Sequence, residues 1–118
     1  MEDKSKQREV LQIVLKTLDE LKFKYDKSKE ELKTMFAYHK ENEDLYDGTV
    51  RNTYNVPFFM EYNSDFGETQ DFTAIVDAST MNVISIRIAH GNLEIIYDSN
   101  GKAKKTKFIS PSFPYDKQ

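Results

Sequence analysis

The spacing of apolar positions changes once along the chain, near Asn55. In residues 5–23, SKQREVLQIVLKTLDELKF, the residues Val10, Leu11, Val14, Leu15, Leu18 and Leu21 recur three and four apart. That is the period of one helical face. Lys16, Asp19, Glu20 and Lys22 take the other side, and neither Gly nor Pro interrupts the run. The stripe predicts an amphipathic helix laid on an apolar surface. In the following KFKYDKSKEELKTMFAYHKENED, Ser28 with Glu31 makes a capping box, which predicts a second helix from Lys29. Leu32, Met35, Phe36 and His39 would share its face. The same stretch also alternates as a strand would, at Leu32, Thr34, Phe36 and Tyr38. Glu30, Glu31, Lys33 and Met35 are good helix formers and favour the helix. Nothing between the two helical runs prevents their merging into one long bent helix.

ENEDLYDGTVRNTYN reads as a polar connection that turns at Gly48. Beyond it the period is two. VPFFMEY places Val56, Phe58, Met60 and Tyr62 on one face, with Pro57 suited to the start of an edge strand because it lacks an N–H. DFTAIVDA places Phe72, Ala74 and Val76 together. NVISIRIA gathers Ile84, Ile86 and Ile88, with Ser85 and Arg87 opposite. NLEIIY aligns Leu93, Ile95 and Tyr97. DSNGK holds Asn100-Gly101, a strong hairpin signal, and KKTKFI makes a fifth, weaker strand. SPSFPYDKQ, with Pro111 and Pro114, reads as an extended tail.

These elements predict an α+β domain. One or two N-terminal helices pack on a four- to five-stranded antiparallel meander, in two layers. One domain spans residues 1–118, helical over 5–43, a meander over 55–109, and a tail over 110–118.

Composition narrows the function. The net charge of −3, from 17 basic and 20 acidic residues, gives no bulk attraction for nucleic acid. The absence of cysteine excludes disulfides, thiol catalysis and thiolate metal sites. The charged start, MEDKSKQREV, lacks the apolar core of a signal peptide, and no apolar run approaches the ~18 residues of a membrane span. The expectation is a cytoplasmic protein without membrane contact, the alternative being a secreted parent whose signal has been removed.

Candidate chemistry is sparse. NSDFGETQD, Asn63 to Asp71, carries Asp65, Glu68 and Asp71 around Gly67. A calcium loop needs closer acids and a glutamate at its twelfth position. A hairpin turn at Gly67 explains the same residues. His39 and His90 are the only histidines, and their spacing suggests no metal site. No phosphate-binding glycine loop or nucleophile elbow is present. No cofactor is expected, and the reading leans away from an enzyme. Lys102, Lys104, Lys105 and Lys107 suit an edge strand guarded against aggregation. FTAIVDASTMNVISIRI resembles the strand–turn–strand elements of cystatin-like helix-on-sheet domains, a likeness of pattern that carries no function.

The leading expectation is a non-catalytic intracellular protein-binding module of the inhibitor, immunity or adaptor type. It rests on small size, balanced charge and seven tyrosines, a residue type enriched at interfaces. The candidate partner-binding residues are Glu41, Glu43, Asp44, Tyr46, Asp47 and Tyr54, read as one acidic, aromatic connection facing a basic protein partner. The first alternative is a small-molecule-binding or catalytic domain with a pocket between helix and sheet. An inward-facing His39, Asp77 or Arg87 would favour it. A sealed helix–sheet contact with exposed aromatics would favour the protein-binding module. The second alternative is weak nucleic-acid binding through the lysine strand.

Overall fold

A computed structural model describes residues 4–25, 35–45, 47–59, 71–88 and 91–109. Helix α1 spans Lys4–Glu20. Strands follow at Tyr38–Asp44 (β1), Val50–Phe59 (β2), Asp71–Asp77 (β3), Val83–Ile88 (β4), Gly91–Tyr97 (β5) and Ala103–Ile109 (β6). They form one antiparallel sheet in sequence order, with α1 on one face. The architecture is the expected two-layer α+β fold, with six strands where four or five were predicted.

The helix stripe settles as its period requires. Val10, Val14 and Leu18 are sealed from solvent and meet Val56, Phe58, Ala74, Val76, Ile86 and Ile95 of the sheet in one cluster. Leu11, Ile13, Leu15 and Leu21 pack at its margin. Phe58 and Phe72 are register partners, with rings edge-to-face at 5.9 Å. The helix stops without glycine. Lys22 takes φ 62°, and the Phe23 and Lys22 amides donate to the Leu18 and Asp19 carbonyls at 2.9 and 3.0 Å. This is the paired bonding of a Schellman cap, closed by apolar Phe23 near Leu18. Side chains tie the helix to the sheet at both ends. The Gln7 amide donates to Ala37 O at 2.6 Å and accepts from Ala37 N at 2.9 Å, as a strand neighbour would. Glu20 Oε1 accepts from Ala103 N at 2.9 Å.

The second helix is corrected. Lys29 to Thr34 lie outside the described residues, but Met35–Ala37 are not helical and Tyr38–Asp44 form β1. The cap at Lys22 likewise ends the long-helix alternative. The acidic run Glu41 to Asp44 is therefore strand, and the supposed connection is a β1–β2 hairpin that turns at Gly48, φ 85°. Helix propensity loses here because an extended chain gains two sets of bonds, to β2 and to Gln7. Pro57 lies beyond Tyr38↔Asn55, the first β1–β2 register pair, in a part of β2 partnered by β3. It is thus near the end of an inner strand rather than at the start of an edge strand, but on a stretch with no β1 partner, where a missing N–H is tolerated. At Asn100-Gly101 the predicted turn forms. Gly101 has φ 81°, and Asp98 Oδ1 accepts the Asn100 and Lys102 amides at 2.8 and 3.0 Å. Met60 to Tyr62, the Asn63–Gln70 part of the acidic loop, His90 and the tail from Ser110 lie outside the described residues.

Candidate functional site

The outer face of the sheet, opposite the helix, is the side that an alternating pattern assigns to water. Five of its residues are nevertheless buried: Thr53, Asn55, Ile75, Asp77 and Ser85. Register explains their grouping. Tyr38, Asn55, Ile75, Ser85, Glu94 and Lys107 fall in one row across six strands, and Lys40, Thr53 and Asp77 in the next.

A β-bulge brings Glu43 to this face. Lys40 pairs with Thr53, but the next pair is Glu43 with Arg51, because Asn42 adopts φ 53° and its amide bonds to Asn52 Oδ1 at 2.9 Å. Plain alternation would have put Asn42 there. The Glu43 side chain is 11% exposed. Its Oε1 accepts from Thr53 Oγ1 at 2.7 Å and from Asn55 Nδ2 at 3.0 Å. Its Oε2 meets Arg87 Nη2 at 3.5 Å and Lys40 Nζ at 3.7 Å. Burial alone would raise the Glu43 pKa. The bonds from Asn55 and Thr53 and the charges of Arg87 and Lys40 outweigh it, and hold the carboxyl below its ordinary range. Two buried atoms of this face, Asn55 Oδ1 within the network and Ser85 Oγ two strands further on in the same row, have no hydrogen-bond partner.

A second polar group lies where β2 begins and β3 ends. Arg51 Nη1 donates to Asp77 Oδ2 at 2.6 Å, and Asp77 Oδ1 accepts the Ser79 amide and hydroxyl at 2.8 and 2.9 Å. Burial would raise the Asp77 pKa, but these bonds lower it further than burial lifts it. Asp47 is held low in the same way by Thr49. Open depressions of about 400 and 280 Å³ flank this pair. Their carboxylates are already engaged by their neighbours, so the group locks turns.

A pH dependence follows from these shifts. Carboxyls with folded pKa values below their unfolded ones stabilise the protein above the unfolded values. That contribution is lost as pH falls through the folded values. The urea midpoint should be flat near neutrality and fall below about pH 4.5, and Asp77→Asn should flatten the fall. A midpoint that rises on acidification would contradict the network.

The expected site residues part company. Glu41 and Asp44 are exposed on β1. Glu43 turns into the outer-face network, and Asp47 is engaged by Thr49. Tyr54 is buried in the core, its ring 5.0 Å from that of His39. Tyr46 lies outside the described residues. In their place stand aromatics the helical reading had hidden. Phe36 and Tyr38 are exposed, with rings edge-on at 4.9 Å, and Phe59 is exposed further along the outer face. The Phe36–Tyr38 alternation was the signal for them. Among the described residues no group of three or more His, Asp and Glu side chains could hold a metal ion. No helix among them is long and apolar enough to cross a membrane.

No protein-family model matches the chain, and neither the curated proteins nor the solved structures yield a match.

Proposed function

We propose that this is a protein-binding module that engages its partner through the β1 corner of the outer sheet face. The observation that carries the reading is the exposed pair Phe36 and Tyr38, at 38% and 52%, set edge to face in and before an edge strand. Large aromatics left in water beside a satisfied core suit an anchor for a partner. The helix–sheet contact supports the same reading, since Val10, Val14, Val56, Ala74, Val76 and Ile86 are all sealed from solvent in it. His39 is exposed, and Arg87 lies on the far face, so neither lines a helix–sheet pocket. Exposed Glu41 and Asp44 lie further along the same edge strand and suit a basic partner.

The test is affinity capture with cross-linking from the native host, followed by binding measurements on the partner obtained. Tyr38→Ala should weaken binding by about 1–3 kcal/mol and leave the melting temperature unchanged. Asp44→Lys should mainly slow association, by an amount that shrinks at high salt. If Tyr38→Ala lowers the melting temperature but leaves affinity intact, the ring is structural and the reading fails.

A further inference from the structure

Two unsatisfied polar atoms mark the outer face. Asn55 is 4% exposed and Ser85 1%, yet Asn55 Oδ1 and Ser85 Oγ have no partner. An unmet buried acceptor carries its full desolvation cost, so its persistence asks for a donor. The orientation of the Asn55 amide is set by its neighbours. Its nitrogen donates to Glu43 Oε1 at 3.0 Å and to Thr53 Oγ1 at 3.1 Å, which leaves the oxygen as the free end. Glu43 Oε1 is saturated by two short bonds, whereas Oε2 has long contacts at 3.5 and 3.7 Å. Glu43 and Asn55 thus offer a buried anionic oxygen and a neutral acceptor, both short of donors.

Arg87 shows which cation this pair accepts and how poorly it is served. Reaching over from β4, its guanidinium touches Oε2 at 3.5 Å, makes no bond to Asn55 Oδ1, and stays 44% exposed. Lys40, 51% exposed, is no closer. Half-exposed ion pairs at such distances contribute little and are easily displaced. A guanidinium arriving from outside is not tethered to β4. Its fork of five donors could meet Oε2 and Oδ1 together. Tyr38 stands directly opposite Asn55 in register and supplies an aromatic wall for the same cation.

We propose that the Glu43–Asn55 pair is a receptor for an arginine side chain of the partner protein, which takes the place that Arg87 holds in the free protein. This rests on the protein-binding reading and gives that partner its chemistry. Phe36 and Tyr38 cover the apolar residues around the arginine.

The experiment needs no identified partner. Acetyl-Leu-Arg-Leu-amide is titrated into the isotope-labelled protein and followed by the NMR signals of the Asn55 side-chain amide. The parallel arms are the citrulline peptide and acetyl-arginine-methylamide. The arginine peptide should bind saturably and shift Asn55. The citrulline peptide should bind at least about tenfold more weakly, because the charge-assisted bonds are gone. Arg87→Ala, which removes the internal competitor from an exposed position, should tighten binding severalfold. Glu43→Gln should weaken it about tenfold. Equal binding of the citrulline peptide, looser binding by Arg87→Ala, shifts elsewhere on the protein, or no saturable binding would each overturn the proposal. Binding of acetyl-arginine-methylamide as tight as that of the peptide would point to a small cation as ligand and also overturn it. If these fail while Tyr38→Ala still weakens binding of the captured partner, the arginine receptor falls and the protein-binding reading stands.

Discussion

Leu18→Ala is expected to destabilise the protein by about 2–5 kcal/mol, read as a lower urea midpoint at an unchanged slope. Leu18 is 1% exposed and belongs to the cluster that joins α1 to the sheet. Truncation removes apolar contacts and leaves a cavity that a helix tied to Ala37 at one end and Ala103 at the other cannot close by sliding. The same residue's carbonyl accepts the Phe23 amide that caps the helix. Leu11→Ala, at the half-buried margin, should lose less. A loss at Leu18 below about 0.5 kcal/mol would remove the helix-on-sheet packing as the source of stability.

Gly91→Ala should be of similar size, about 2–5 kcal/mol, for a different reason. Gly91 opens β5 with φ 153°, a region closed to most L-residues. An added Cβ would collide with the Ile109 carbonyl oxygen and come within 3.0 Å of the Phe108 ring. Strand β6 would have to move from β5, or β5 from its register with β4. Gly101→Ala is the control. Its φ of 81° is also left-handed, but a Cβ there meets nothing within 4 Å. It should lose about 1 kcal/mol, the backbone term alone. Equal melting of the two variants would mean that Gly91 does not approach β6 as described.

Much of this architecture was legible. The stripe from Val10 to Leu21 can be satisfied by one face of a helix and by little else. The alternation around Phe72, Ile86 and Ile95 admits one assignment of sides, since a slip along a strand would put its apolar chains in water, but a bulge between β3 and β4 gives the core place expected for Ile84 to Val83. Asn100-Gly101 names its own turn. These readings held because pattern, propensity and turn chemistry agree locally. The site was less legible. Tyr54 was expected at a partner surface, but its position two residues before Val56 on β2 puts it on the core face. Ser85 and Arg87 were visible opposite the isoleucines, without a sign that Ser85 would be buried and unsatisfied.

The sequence by itself determined the apolar half of this protein: the helix stripe, the core face of the sheet, and the order of β3 to β6. What the tertiary structure alone decided is β1 and the outer face. YHKENED is polar and rich in helix formers, with no buried side to set its period. It becomes strand through pairing with Val50–Asn55 and the hold of Gln7 on Ala37, thirty residues away in the chain. The left-handed turn at Asn42 then exchanges which side chains look outward. That exchange brings Glu43 to Asn55 and Arg87, contacts that depend on register across four strands and that no local spacing encodes.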